Sequence, residues 1–343
     1  IQKREGYVIV TLGWMMMTIS GMLPFIFTNS MVDIPSTFFE TMSGYTATGA
    51  TILQDIESLP LGILFWRSMT HWIGGMGIIV LAVAILPLLG IGGIQLFSAE
   101  APGPNNDKLH PRITDTAKRL WLIYVSFTFL EAILLSFAGM SIFDAVNHAM
   151  STMASGGFST KNNSLAYWNH LPLVHYIIIL FMFLAGSNFV LSYFALTGKF
   201  KKVLDDNEFV TFLAFVLIFS FIVFTVIYTS VDLNNSYFDF PQVFGKLEGS
   251  IRHSLFQVLA IITTTGFVTS DYTAWTPFLT VFFFGLMFLG GSAGSTSGGI
   301  KVVRHLLMIK GGILEFKRAL HPNAIIQPRY NGKIVNQEII GNI

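Results

Sequence analysis

Thr263-Thr264-Thr265-Gly266-Phe267-Val268-Thr269-Ser270-Asp271 decides how this chain is read, because two variants of it stand upstream. The first is Thr46-Ala47-Thr48-Gly49-Ala50-Thr51 and the second is Ala154-Ser155-Gly156-Gly157-Phe158-Ser159-Thr160, each a run of small and hydroxylated residues leading into glycine. Gly49, Gly157 and Gly266 lie 108 and 109 residues apart, a period too long for a solenoid and suited to a repeated membrane module. A short mixed segment precedes each copy and a long apolar one follows it. Helix, short segment, glycine loop, helix is the order of a cation-channel pore unit, in which extended backbone carbonyls replace an ion's hydration shell.

The composition agrees. Of 343 residues 52% are hydrophobic and 11% charged, less than half the roughly 25% charged fraction of a soluble protein. A net charge of +1 gives no argument for nucleic acid or an acidic partner, so charge logic has to come from where Lys and Arg sit. The absence of Cys excludes disulfides, thiolate catalysis and Cys-ligated metals. Ile1-Gln2-Lys3-Arg4-Glu5 carries no initiator Met and runs into an apolar stretch, so the sequence reads as an internal piece of a longer chain. Tyr7 to Phe27 is long enough to span a bilayer and lacks a small-residue cleavage site.

Taken in order, Tyr7 to Phe27 is the first span, with Lys3 and Arg4 placing its start in the cytoplasm. Pro35 opens a segment, Ser36 to Ser43, too short to cross; it reads as a half-membrane helix whose C-terminal end points its dipole at Thr46 to Ala50. Leu61 to Leu89 returns, with Gly74, Gly75 and Gly77 allowing close approach of a neighbour. Gly90 to Arg119 is a basic cytoplasmic linker. The second unit has Leu120 to Gly139 as its span, Ile142 to Met153 as its short helix and Leu173 to Gly198 as its return. The third has Phe209 to Val231, then Ser250 to Ile262, then an apolar helix from Thr276. Inner ends carry clustered Lys and Arg in every unit, so all three share one orientation.

The last segment breaks the pattern. Gly290-Gly291-Ser292-Ala293-Gly294-Ser295-Thr296-Ser297-Gly298-Gly299 holds five glycines in ten residues with no charge. Irregular backbone at membrane depth is tolerated only inside protein or along a water-filled cavity, so the run is expected as a loop in the ion path; the bland alternative is a kink without a gate. Asn331-Gly332, between short apolar stretches from Ile325 to Val335, signals a cytoplasmic β-hairpin.

With these residues in place, the chain resembles the TrkH and KtrB potassium transporters, the TrkH branch most closely. The resemblance covers essentially all of it and rests on Glu40 to Thr51, Gly156 to Thr160, Thr263 to Asp271 and Gly290 to Lys301. It implies an all-α membrane protein built of helix, pore helix, filter loop, helix units around a central pore, three of an expected four being present. A fourth filter glycine at the observed period falls near position 375, beyond Ile343. The corresponding divisions are 1–119, 120–207, 208–310 and a tail at 311–343.

The resemblance further implies K+ uptake across a bacterial inner membrane, with a homodimer on a cytoplasmic nucleotide-binding regulator of the TrkA or KtrA kind, lipid around it and no nucleic acid. K+ is then cargo, and no resident cofactor is expected. Carried over residue by residue, the filter glycines are Gly49, Gly157 and Gly266. The implied ion ligands are the carbonyls of Thr46, Ala47 and Thr48, of Ala154, Ser155 and Gly156, and of Thr263, Thr264 and Thr265, while Gly290 to Gly299 is the intramembrane gating loop. No Tyr follows the glycines, which implies a short filter.

Other readings stay open on residues alone. A gated channel, a less selective K+/Na+ path and an H+- or Na+-coupled symporter are not distinguished. Glu40 and Glu131 either line the path or make structural hydrogen bonds. Arg67, His71, His148 and His175 are expected at outer membrane ends in snorkelling or interface roles. Gly291-Ser292-Ala293-Gly294 looks superficially like the serine loop of an intramembrane protease, which would need a His base near Ser292. Lys301 after the glycines mimics a phosphate-binding loop without its strand or following hydroxyl.

Overall fold

The computed structural model describes residues 3–77, 113–231, 244–320, 329–331 and 333–334. In the first repeat the expected span is two helices, α1 (Lys3–Gly21) and α2 (Leu23–Phe27). The break falls where Pro24 stands in the first turn of α2, a position that suits its fixed φ and missing N–H. Then comes α3 (Ile34–Tyr45), the short helix, with Pro35 in its first turn and Asp33 Oδ2 accepting from Ser36 N at 3.1 Å. The return helix α4 (Leu61–Trp72) runs into a π-helical turn, Ile73–Gly77. The rest of the Leu61 to Leu89 segment, and the linker as far as residue 112, lie outside the described residues.

Gly74 and Gly75 do admit close neighbours. A Cβ on Gly75 would stand 2.7 Å from Ala154 Cα and 3.0 Å from Tyr124 Oη, and one on Gly74 would overlap the Tyr45 carbonyl. The glycines therefore let α4 pass against the ends of two short helices.

The second repeat has α5 (Ile113–Phe137), α6 (Ile142–Met153) with Ser141 as its cap, and a return in two pieces, α7 (Pro172–Gly186) and α8 (Phe189–Leu196). The sequence suggests an unbroken return from Leu173 to Gly198; instead the chain bends by 111° between Gly186 and Phe189. Ser187 is extended and Asn188 caps α8, its Oδ1 accepting from Val190 N at 2.8 Å. The carbonyls that α7 would have used to continue are taken elsewhere: Gly186 O accepts from Ser292 N at 2.8 Å and Ala185 O from Thr296 N at 3.3 Å. In exchange Phe189 N donates to Gly294 O at 3.2 Å. A glycine loop about a hundred residues downstream thus satisfies a helix break within the membrane.

A short α9 (Phe200–Leu204) closes the second repeat; the third opens on α10 (Asn207–Ser230), capped by Asp206, and continues with α11 (Gly245–Ile262). Residues 232–243 lie outside the described residues. α12 (Pro277–Leu286) is followed by non-helical chain from residue 287 to 301, then α13 (Val302–Leu320). Strands β1 (Arg329–Tyr330) and β2 (Lys333–Ile334) pair antiparallel, Tyr330 opposite Lys333, around Asn331 at φ +48°; this is the expected hairpin.

The core lies where α5, α6, α7, α10, α11 and α12 converge, on Leu135, Ala145, Ile178, Phe212, Phe256, Leu259 and Phe283. Outward faces are apolar as well: Phe137 is 86% exposed and Phe221 67%. Helices apolar all round belong in lipid. Among the described residues Lys118–Phe137 and Asn207–Ser230 are each long and apolar enough to cross a membrane, and the bent pair α7–α8 meets the same measure when its two helices are taken as one span. The chain is an all-α membrane protein.

Candidate ion-conducting site

The three glycine loops share one backbone path. Each short helix ends on a residue near φ −80° (Thr46 at −78°, Ala154 at −77°, Thr263 at −80°) whose N–H still bonds four residues back. The next residue is left-handed although it is not glycine: Ala47 at φ +51°, Ser155 at +56°, Thr264 at +57°. Two positions on, the glycine is left-handed too, Gly49 at +73°, Gly157 at +82° and Gly266 at +74°. Single non-glycine residues persist in this region only where their surroundings hold them.

The loops touch each other in sequence order. A Cβ on Gly49 would overlap Gly156 O, and a Cβ on Gly157 would overlap Thr265 O. At these two positions glycine is needed twice over, for its φ and for the neighbouring carbonyl. The second loop is enclosed between the other two, whereas Thr46, Thr48 and Gly266 are exposed.

Among the described residues none of the nine carbonyls of residues 46–48, 154–156 and 263–265 accepts a hydrogen bond. Buried backbone carbonyls are nearly always paired. Ala154, Ser155, Gly156, Thr263 and Thr265 are buried while Thr46 and Thr48 are exposed, and all nine carbonyls follow the C-terminal ends of short helices, where the helix dipole is negative.

Polar side chains hold these loops from behind, and here the outer-end reading of Arg67, His71, His148 and His175 is corrected. Arg67 is 2% exposed; its Nε donates to Glu40 Oε1 at 2.6 Å, its Nη1 to Ser159 O at 3.1 Å, and its guanidinium lies 3.7 Å over the Phe158 ring. Glu40 also accepts from Thr51 Oγ1 and Ile52 N, so of its two roles the structural one is observed. His71 stacks on the other side of Phe158 with centroids 3.9 Å apart, and its Nδ1 meets Ser151 Oγ at 3.0 Å. His148 Nδ1 bonds Asp144 O at 2.8 Å, leaving Nε2 to accept from Ser159 Oγ at 2.9 Å. His175 Nε2 donates to Leu165 O, and its Nδ1 accepts from Arg252 Nη1 at 2.7 Å. Each of these groups is buried because its partners are buried with it.

Glu40 and His148 stand nine residues before their glycines, and Thr51 and Ser159 two after. That repeat was readable. In the third copy Val268 replaces the hydroxyl, and the tie shifts to His253 Nδ1 and Thr269 Oγ1 at 2.8 Å. Glu131 is fully buried and its carboxylate meets no donor in hydrogen-bond geometry among the described residues; the nearby Thr152 hydroxyl gives its proton to His148 O.

The Gly290 to Gly299 run is irregular, as expected. Gly290 N donates to Ile300 O at 2.9 Å and Leu289 bridges Ile300, pinching the loop at its base. Its body reaches the undersides of two glycine loops: Thr296 Oγ1 donates to Met153 O at 2.9 Å and meets Ser155 Oγ at 2.9 Å, and Gly298 N donates to Thr264 Oγ1 at 2.7 Å. Lys301 Nζ bonds back to Ser297 O. On the cytoplasmic side Glu208 Oε1 accepts from Ala293 N at 2.6 Å and Val303 N at 3.3 Å, while its Oε2 accepts from Tyr330 Oη at 3.3 Å. Ser292 is buried with no partner for its Oγ among the described residues, so no base is attached to the serine of the protease reading.

Three short helices that end in glycine loops with free carbonyls, set in an apolar helical scaffold, fit a cation-transport protein of the membrane. The chain belongs to the TrkH family, described as cation transport protein, whose profile matches residues 1–343. It is 44% identical over 343 residues to the Trk system potassium uptake protein TrkH of Escherichia coli K12, an alignment covering 99% of this chain and 68% of that protein. To the Trk system potassium uptake protein TrkG of the same organism it is 36% identical, covering 69% of it. The fold is similar to the crystal structure of the potassium transporter TrkH from Vibrio parahaemolyticus, with a TM-score of 0.82 and 36% identity over 99% of this chain and 68% of that one.

Proposed function

We propose that the chain conducts K+ inward, down its electrochemical gradient, through a pore lined by the carbonyls of Thr46 to Thr48, Ala154 to Gly156 and Thr263 to Thr265. The observation that carries this reading is the set of nine free carbonyls on three loops with the same pattern of φ angles, with Gly49 and Gly157 packed against the next loop's carbonyl. The names of the relatives, potassium uptake proteins, supply the ion. A fourth copy would seat between the exposed Thr46–Thr48 and Gly266 faces and close the ring. Gly290 to Gly299 acts as the gate beneath it, and no covalent chemistry is involved. The working assembly is a homodimer in a bacterial inner membrane with a cytoplasmic nucleotide-binding regulator of the TrkA or KtrA kind.

The test is K+ or Rb+ uptake with Na+ competition, in cells stripped of their own potassium uptake and expressing the complete reading frame that carries this chain. Saturable uptake weakly blocked by Na+, with the K+ preference reduced in Gly266→Ser, is expected, since Gly266 holds φ +74°, which a Cβ strains by about 1–2 kcal/mol. Equal competition by Na+ in the parent protein would overturn the potassium reading.

A further inference from the structure

The loop from Gly290 to Gly299 does more than lie under the candidate filter; it is hydrogen-bonded to it. The proton order is fixed by the partners. The single Thr296 hydroxyl proton has two carbonyls in reach, Met153 O at 2.9 Å and Ala185 O at 3.3 Å; whichever takes it, Ser155 Oγ then donates to Thr296 Oγ1. Thr296 is itself held, its N–H on Ala185 O at the α7–α8 break. A second tie runs from Gly298 N to Thr264 Oγ1.

The two side chains so gripped, Ser155 and Thr264, are the left-handed residues of loops two and three. A β-branched residue such as Thr264 is strained there. Such conformers survive where neighbours over-determine them, and the loop supplies that constraint at the hydroxyl of each. Their counterpart in the first copy, Ala47, has no hydroxyl to be held.

We propose that Thr296 is a positioning residue for ion selection: the loop sets the geometry of the candidate filter through Ser155 and Thr264, so that displacing the gate also loosens discrimination. This rests on the filter reading above. A simple plug would change how many ions pass and leave their ratio alone.

The experiment measures K+ and Na+ uptake, as apparent KM and maximal rate for each ion, in the complete protein carrying Thr296→Val, Thr296→Ser or Ser155→Ala. Thr296→Val keeps the β-branch and removes the hydroxyl; it is expected to lower the K+ over Na+ preference about three- to tenfold, the worth of one hydrogen bond. Thr296→Ser restores the hydroxyl and the preference. Ser155→Ala cuts the same bond from the filter side and gives the same drop, which keeps the idea open to refutation should the valine variant fail to reach the membrane. Raised uptake at an unchanged ratio in both Thr296→Val and Ser155→Ala would overturn the proposal and leave the filter reading intact. Absence of K+ preference in the parent protein would overturn the filter reading itself.

Discussion

Removing Arg67 while leaving Glu40 in place is the severest single test of how the first two glycine loops are held. Both side chains of the pair are buried, at 2% and 0% exposure, with Nε and Oε1 2.6 Å apart. Arg67→Met preserves much of the apolar stem but leaves a carboxylate without its counter-ion. Breaking such a pair costs about 3–5 kcal/mol. The lower end applies here, because Glu40 keeps Thr51 Oγ1 and Ile52 N as donors. At on the order of 2 °C per kcal/mol for a chain of this size, the melting temperature of the purified protein should fall by roughly 6 °C. Adding Glu40→Gln removes the stranded charge, so the double variant should melt above Arg67→Met alone. Arg67→Lys keeps charge but loses the fork to Ser159 O and the stack on Phe158, and should sit between them. Because Phe158 and Ser159 directly follow Gly157, K+ over Na+ preference should fall in parallel. A shift under about 2 °C for Arg67→Met, or additive losses in the double variant, would refute the argument that this pair is a buried clamp.

Three further outcomes follow from particular contacts. Deleting residues within Gly290 to Gly299 should raise ion flux in a variant that still reaches the membrane, and lower or unchanged flux would remove the loop as a gate. Tyr330→Phe deletes the bond to Glu208 Oε2 and should cost about 1 kcal/mol, read as earlier protease cleavage of the cytoplasmic tail; a cleavage rate equal to the parent's would dismiss the tie. In the outer loops Asn162 Nδ2 donates to Asp55 Oδ1 at 3.2 Å and holds that carboxyl below the usual carboxylate range. A depressed pKa favours the packed loop at neutral pH and loses that effect as pH falls through the carboxylate range. Limited proteolysis near residue 55 should therefore speed up on acidification in the parent and change less in Asn162→Ala.

How much of this the sequence disclosed depends on how local the cause is. The short helices were legible because their caps are neighbours in sequence, Asp33 with Ser36 and Ser141 with Asp144. So was the hairpin, whose Asn331 takes the positive φ that its turn requires. The loops were legible through their period. Arg67 was not, since hydropathy judges a charge by its place along one helix, and the groups that bury it lie 27 and 92 residues away. The bend between α7 and α8 was hidden for a stronger reason. Leu173 to Gly198 carries no Asp, Glu, Lys or Arg, and although Gly186-Ser187-Asn188 interrupts its apolar run, nothing in it says that Ala185 O and Gly186 O will be given to Thr296 N and Ser292 N. Nor could the glycine run at 290–299 announce its partners. Each segment is irregular backbone at membrane depth, which neither could sustain alone; together they exchange the hydrogen bonds that each lacks. Two such breaks are therefore one feature of the fold, and a substitution that straightens the first should release the second.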